Sequence, residues 1–576
     1  MTSVKETYVD YHRVPSAIPS RTLAWNVYGK GVESVGRDGR PEWVDVGRPS
    51  NDQLLVRVDA VGLCFSDIKL IRLGGEHPKL YGRNLATDPT RLGHETAVTV
   101  MAVGANLADR FHPGQRLAIQ PDIYVNGRST AYGYTIPGGL IGYHLVGPEV
   151  LAADDGAYVV EVDDRLGYAE TALTEPWACV EAAYSQRRRL VPLRGGRAWV
   201  VGHPDDHRSY DFGATLKDSR EIVVSGLRDD LVAALRSSAP NATLSAVEQS
   251  AARGPFDDII LLDPRSGTFA ARASDALAFG GVLNLVGDKP LDGPSDIDVG
   301  RIHYHYTAYV GTTGPLVAAA YGERRNRAEL RPGGVALFVG AAGPMGQMHL
   351  ERALKTPNGP STLIGVDLDG DRLAIARARL EPVAREFDRK LLMITRPSEE
   401  DLATVVATET RSRGADDIIV TAPTAAAVTQ AARLLAGDGM LVLFAGLPVG
   451  TRASLDLSRV FLHGAQYTGT SGSRIADQAL VVRKTLAGQL SPGHALAAVG
   501  GMEAAPDGLR ALMEGRFAGK IVIFPQLSSL PLTDVADLAA TDPELGAALG
   551  AGGTWNADAE AILFAHHLET PTLARP

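Results

Sequence analysis

The segment from Glu181 to Gly314 is written a second time, in altered form, between Ala319 and Gly472. Ala182-Ala183-Tyr184 followed by Arg187-Arg188 answers Ala319-Ala320-Tyr321 followed by Arg324-Arg325. Both segments then reach Leu-Arg, a glycine pair (Gly195-Gly196, Gly333-Gly334) and a short apolar run closed by Val-Gly (Val201-Gly202, Val339-Gly340). Further on, Asp257-Asp258-Ile259-Ile260 answers Asp416-Asp417-Ile418-Ile419. Arg301, His305, Tyr309, Gly311, Thr312 and Gly314 answer Arg459, His463, Tyr467, Gly469, Thr470 and Gly472 without a gap. So many agreements in one order mean one structural unit present twice. Each copy alternates β-rich runs, such as Ala198-Trp199-Val200-Val201 and Asp258-Ile259-Ile260-Leu261-Leu262, with Ala- and Arg-rich helical stretches. That alternation predicts a parallel sheet with helices on both faces.

The copies are not equivalent. In the second, the run ending at Gly340 leads into Ala341-Ala342-Gly343-Pro344-Met345-Gly346, with a helix expected from Gln347. A strand, a glycine turn and a helix N-terminus aim backbone N–H groups and the helix dipole at a pyrophosphate. The turn is a variant: Ala341 holds the place of the usual first glycine, with Gly340 just before it. A second strand, Thr362 to Asp367, ends in an acid at the distance needed to accept both ribose hydroxyls. A carboxylate there repels a 2′-phosphate, which favours NAD(H) over NADP(H). In the first copy the turn is replaced by Gly202-His203-Pro204-Asp205-Asp206-His207-Arg208, and Ser225 stands where Asp367 stands in the second. Aspartates would repel phosphate, so this copy reads as a retired nucleotide fold kept for packing, assembly or wall-building. Arg301, His303 and His305 read as part of a structural strand.

Ahead of the repeat the texture is β-rich and turn-rich. Leu54 to Gly62 alternates as a half-buried strand and ends at the turn Gly62-Leu63-Cys64-Phe65-Ser66-Asp67. Gly93-His94-Glu95 precedes the β-branched run Thr96 to Gly104, and Pro113-Gly114-Gln115-Arg116 opens another strand. The texture changes at Glu175-Pro176, where a helix is expected over Trp177 to Leu190 with Pro176 in its first turn. Thiol, imidazole and carboxylate are the ligand types zinc prefers. A lone cysteine is usually buried filler and a lone Gly-His-Glu usually a capped turn; the ordered set of Cys64, His94, Glu95 and Glu175 is what points to a metal. His77, His112, His144 and Cys179 lack such support and read as loop or core residues.

Gly-Leu-Cys-Phe-Ser-Asp (62–67), Gly-His-Glu (93–95), Pro-Gly-Gln-Arg (113–116) and Glu-Pro (175–176) resemble, in type and order, the zinc-dependent medium-chain dehydrogenase/reductase family. Within it the chain is most similar to the sorbitol dehydrogenase and sorbose-phosphate reductase branch. The resemblance implies Cys64, His94 and Glu95 as ligands of a catalytic zinc, with Glu175 a fourth ligand or a partner of the zinc-bound water. It implies Ser66 as the hydroxyl that relays the proton of the substrate alcohol. Two departures stand out: residues 118–150 hold no cysteine, so the structural zinc of many relatives is absent, and Gly74 to Thr90 forms an extra loop near the metal.

The expected fold is therefore α/β: a β-rich GroES-like catalytic domain plus two tandem Rossmann-like, doubly wound parallel-sheet units, the first degenerate. The expected boundaries are 1–180 for the catalytic domain, 181–316 for the degenerate unit, 317–475 for the NAD-binding unit, and 476–576 for a return to the catalytic domain followed by a tail. Over Glu503 to Phe524 a short helix and a turn into a strand make that return; Leu530 to Leu549 reads as amphipathic and Ala557 to Leu568 as helical. Net charge is -10, and no basic block interleaves with aromatics, so nucleic acid is an unexpected partner. Two cysteines cannot build a disulfide framework. With no signal-like N-terminus and no run long enough to span a bilayer, the chain is expected to be cytoplasmic and away from membranes, and a homodimer or tetramer. The expected reaction moves a hydride between NAD(H) and a secondary alcohol or ketone of a polyol, cyclitol, sugar or sugar phosphate, with one zinc. A redox-neutral sugar lyase or epimerase, holding NAD and zinc around a transient ketone, is the alternative from another class; a sugar-responsive binding protein is a third.

Overall fold

Apolar alternation alone makes Leu54–Leu63 a strand, and the burial of every one of its ten residues makes it the centre of a sheet. It pairs antiparallel with Glu95–Val103 on one side and with Lys520–Phe524 on the other, so the two ends of the chain share one sheet. The full order of this eight-stranded sheet runs Val159–Glu161, Arg116–Ile119, Glu95–Val103, Leu54–Leu63, Lys520–Phe524, Leu496–Gly501, Thr533–Asp534, with Tyr143–Val146 also on Leu54–Leu63. The computed structural model describes residues 4–186, 188–323 and 326–568; Arg187, Arg324 and Arg325 of the repeat lie outside them, as does 569–576.

The two copies of the repeat form two six-stranded sheets. The first is ordered Thr243–Ala246, Glu221–Ser225, Arg197–Val201, Phe256–Leu262, Leu277–Val286, Ala308–Thr312. The second is ordered Lys390–Thr395, Thr362–Asp367, Val335–Val339, Ala415–Val420, Leu435–Leu443, Gln466–Gly469. Every pairing in both is parallel. Counted along each copy the order is the doubly wound one whose switch point lies between its first and fourth strands. The duplication is visible in side chains too. Asp258 accepts from Leu193 N at 2.9 Å and Asp417 from Arg331 N at 2.7 Å; Arg301 reaches Leu277 O at 2.5 Å and Arg459 reaches Leu435 O at 2.6 Å.

Where the copies diverge, the reason is legible. After Val335–Val339 the second copy turns into the helix Pro344–Lys355. After Arg197–Val201 the first runs through turns, with no helix in 202–220. Its sheet face is covered there by Tyr210, Phe212 and Leu216, packed on Ala198, Val200, Ile222 and Val224. Burying an aromatic or Leu side chain contributes about 1.5–3 kcal/mol whichever backbone carries it, so three such residues replace a helix as a lid.

Some expected elements move. Arg301 and His303 sit on a helix, Val299–Tyr304, and His305 caps it; this segment is not a strand. The helix that carries Glu175 spans Tyr168–Ala182, starting nine residues before Trp177, with Pro176 inside it. Gly167 supplies its extended N-cap and Glu170 Oε2 accepts from Gly167 N at 3.0 Å. A helix also follows Cys64 directly, Phe65–Leu73. The C-terminal stretch folds as Val535–Thr541, Pro543–Ala548 and Ala557–His567. The last of these buries Glu560, which accepts from Tyr168 N at 2.5 Å, Ala169 N at 2.8 Å and Tyr8 Oη at 2.6 Å. The tail thus caps the helix that carries Glu175. Among the described residues, no helix is long and apolar enough to cross a membrane.

Candidate active site

Strand register brings the candidate ligands together. Gly62 lies directly opposite Glu95, and a Cβ on Gly62 would stand 2.1 Å from Glu95 Oε2, so only glycine leaves room for that carboxylate. Cys64 follows at the end of the same strand as the N-cap of Phe65–Leu73, held by Asp67 Oδ2, which accepts from Cys64 N at 2.9 Å. His94 enters from the turn before Glu95–Val103. The Cys64 sulfur, a His94 ring nitrogen and a Glu95 oxygen all lie within 4.8 Å of one another.

These residues fit a metal ion. Glu95 is fully buried, and its Oε2 has no hydrogen-bond partner; an unpaired buried carboxylate oxygen costs several kcal/mol, on the order of 1–3 or more, unless something binds it. The donor set of thiolate, imidazole and carboxylate is one zinc accepts. Asp67 Oδ1 stands 3.3 Å from His94 Nδ1, a carboxylate placed to hold the ring's orientation. Burial pushes the His94 imidazole down, but Asp67 and Tyr134 outweigh it and the ring binds its proton more tightly than usual.

Glu175 lies beside this triad and outside its 4.8 Å set. It is buried, and burial lifts its carboxyl to about 7, with His94 opposing and Glu95 adding to the rise. Cys179, one turn on, stands with Sγ 3.7 Å from Glu175 Oε1, closer to the site than a core residue would be. Ser66 is partly exposed on the first turn of Phe65–Leu73. The extra loop between Gly74 and Thr90 packs where the sequence places it: Lys79 stands 4.9 Å above the Tyr134 ring and 3.1 Å from Asp122, and the Tyr134 ring lies 5.8 Å from that of His94.

Lys520 is the residue that sequence reasoning missed. Its Nζ stands 2.5 Å from Glu95 Oε1, deeply buried. Leu63 pairs with Ile521, which delivers Lys520 beside Cys64 across almost the whole chain. A lysine after a glycine turn carries no signal by itself; only the pairing of the first and last sheet strands gives it one. Its positive charge offsets part of that of the Glu95 and Glu175 carboxylates, and Glu95 in turn holds the ammonium above its ordinary range against burial.

The nucleotide turn has the shape its residues predict. Gly340 takes φ of +91°, and a Cβ on Gly346 would lie 2.2 Å from Gly340 O, so helix and turn meet at backbone distance. Ala341 is buried, its methyl set against Gly365, which accommodates the variant first position. Pro344 and Met345 open the helix, with Gly343 as N-cap. Asp367 ends its strand and accepts from Ala342 N at 2.8 Å and Asp369 N at 3.1 Å. In the first copy Ser225 Oγ accepts from the Trp199 indole at 3.1 Å, and the stretch after Gly202 is cross-linked by Asp205–Arg265 at 3.0 Å. One side chain links crevice and triad. Gln347 Nε2 donates to Ala342 O at 2.9 Å and to Ala518 O at 3.0 Å, two residues before Lys520.

With this geometry in view, comparison with known proteins finds likeness in sequence and in fold. Residues 50–181 match the alcohol dehydrogenase GroES-like domain. L-Sorbose 1-phosphate reductase of Klebsiella pneumoniae is 25% identical over 95% of this chain and 98% of its own length. Mannitol-1-phosphate 5-dehydrogenase of Aliivibrio fischeri is 24% identical over 89% and 92%. An alcohol dehydrogenase from Thermotoga maritima shares the fold, with a TM-score of 0.51 at 13% identity over 88% of this chain and 99% of its own. Over most of its length this chain is thus similar to sugar- and polyol-phosphate oxidoreductases, and its residues 50–181 carry the alcohol dehydrogenase GroES-like domain. The matched GroES-like segment contains Cys64, Ser66, His94, Glu95 and Glu175, while Lys520 reaches Glu95 from outside it.

Proposed function

We propose that the chain is a zinc-dependent oxidoreductase that moves a hydride between NAD(H) and a secondary alcohol or ketone of a polyol, cyclitol, sugar or sugar phosphate. The observation that carries this reading is the compact triad of Cys64, His94 and Glu95 with its unpaired buried oxygen, tied through Gln347 to a nucleotide crevice. The full-length relatives named above are a reductase and a dehydrogenase of sugar or polyol phosphates, which supports the substrate class. In this reading residues 1–180 and 476–576 make the catalytic body, 181–316 the retired unit and 317–475 the NAD unit.

Zinc held by Cys64, His94 and Glu95 would supply Lewis acidity towards a substrate oxygen, and the nicotinamide would supply or take the hydride. The chain's own residues do the rest. Asp67 orients His94, Lys520 neutralises part of Glu95, and Ser66 passes the alcohol proton outward. Glu175, held largely protonated below about pH 7, is placed to exchange a proton at the edge of the site. Asp367 accepts the ribose hydroxyls and so favours NAD(H) over NADP(H). The test is a screen of sugars, polyols and cyclitols with zinc and NAD supplied, with zinc read by elemental analysis. Cys64→Ser and Glu95→Gln should each lower zinc content and lower turnover by about 100-fold or more. Conversion of a sugar with no net NADH, or protein that takes up no zinc, would sink the proposal.

A further inference from the structure

The two units meet as two subunits would. The strand Ser295–Asp298 of the first pairs antiparallel with Arg452–Leu455 of the second. The offset that carries Arg301 onto Arg459 carries Ser295 onto Ala453, Asp296 onto Ser454 and Ile297 onto Leu455. In the pairing, Asp296 faces Ser454, Ser295 faces Leu455 and Ile297 faces Ala453. Ser295 therefore faces the counterpart of Ile297 and Ile297 the counterpart of Ser295, with the Asp296–Ser454 pair on the local axis. That reciprocity defines an isologous contact about a two-fold.

The same exchange recurs deeper in. The counterpart of His303 is Phe461, and those of Leu285 and Gly311 are Leu443 and Gly469. Phe461, from the second unit, packs so tightly on Gly311 of the first that a Cβ there would stand 2.4 Å from its own Cβ. His303, from the first, lies against Gly469 of the second, with a Cβ there 3.4 Å from its Cα. The His303 ring stands 3.1 Å from Leu443 O. A single apolar core runs through both units, from Trp199, Ile259 and Leu285 to Leu337, Ile418 and Leu443. The next residue along the first unit's helix, Tyr304, has its Oη 2.9 Å from a Cβ on Gly446, past the carboxyl end of the strand Leu435–Leu443. Lys69 Nζ lies 5.6 Å from the Tyr304 ring. Lys69 is three residues after Ser66 on the helix that starts at Cys64, and so shares Ser66's face.

We infer that the retired unit serves the NAD unit as a covalently attached partner: it fills, about a local two-fold, the edge that a second copy would otherwise occupy, and presents Tyr304 against Lys69 as one wall of the substrate cleft. The Tyr304 half rests on the proposed function; the pairing half does not. In the full chain, Asp296→Cys with Ser454→Cys, treated with a short bis-maleimide, should give a bridge within one chain, absent from either single variant. Bridging between two chains, or none, overturns the pairing whether or not the protein turns over a sugar. Tyr304→Ala should raise KM for the sugar about tenfold while KM for NAD(H) and the melting temperature stay put. Tyr304→Phe should recover much of the loss if the ring is the wall. An unchanged sugar KM in Tyr304→Ala overturns the wall, whereas absence of any turnover in the parent chain overturns the hydride-transfer reading instead.

Discussion

The two Rossmann-like units have the same strand order and the same buried aspartate staples, yet only one has a phosphate turn, a helix behind it and an acid on its second strand. The difference teaches that sheet and site are specified separately. Strand order follows from apolar runs, right-handed crossovers and burial, which tolerate extensive substitution. A nucleotide site depends on a few backbone N–H groups and one carboxylate, and a handful of changes removes it. The first unit has the strand order of the second without its glycine turn, helix and acid.

That contrast can be broken most sharply at Gly346. Gly346→Leu places side-chain atoms where Gly340 O and the Ala341 backbone already stand, so NAD(H) affinity should fall by about 100-fold or more in a titration. Asp205→Ala, in the stretch that replaces the turn in the first unit, should leave that affinity unchanged. Next in size is Asp367→Ser, which gives the second unit the first unit's residue. Loss of charge-assisted hydrogen bonds worth about 1.5–3 kcal/mol predicts a rise in KM for NAD(H) of roughly 10- to 100-fold, with weaker discrimination against NADP(H). Ser225→Asp should confer no second nucleotide site, measured as stoichiometry by calorimetry.

A smaller effect separates the units from the helix that carries Glu175. Glu560→Ala leaves the Tyr168 and Ala169 amides without their acceptor, costing about 1–3 kcal/mol and lowering the melting temperature by several degrees. An unchanged melting curve would refute the capping role. Smallest is His303→Phe, which makes the first unit match Phe461 of the second. Burial depresses His303 from 6.5 to about 4, with the Leu443 carbonyl opposing. Because the folded value lies below the unfolded one, its contribution is intact above about pH 6.5 and is lost as pH falls through 4. The variant should therefore gain about 1 kcal/mol relative to the parent at pH 5.5 and little at pH 8, read from urea melts at the two pH values.

Much of this was legible in the sequence because periodicity and repetition are local signals. The repeat announced two parallel sheets, and Gly340 to Gly346 with Asp367 announced which one turns from strand through glycines into a helix. Cys64, His94 and Glu95 were found through turns that mark them. The helix at Phe65–Leu73 was hidden because Cys64 and Asp67 start it with a capping box in place of a long periodic run. The start at Tyr168 was hidden because Pro176 imitates a helix N-terminus, while the true cap is Gly167 with support from Glu560, far along the chain. Lys520 was invisible because its meaning lies in strand pairing, which no window of neighbours contains.

The pairing of Leu54–Leu63 with Lys520–Phe524 also has a consequence for how the protein is made. A ribosome delivers Cys64, His94 and Glu95 early, but Lys520 and the Glu560 cap only when nearly everything else has been synthesised. Throughout that interval the central strand of the sheet is unpaired on one side at Val61 to Leu63, and the Glu95 carboxylate is without its cation. Nascent chains stalled before about residue 520 are therefore expected to be sticky and dependent on chaperones. Both six-stranded sheets, whose last strand ends at Gly469, are free to close first and hold the unfinished front of the molecule in reach of its own end.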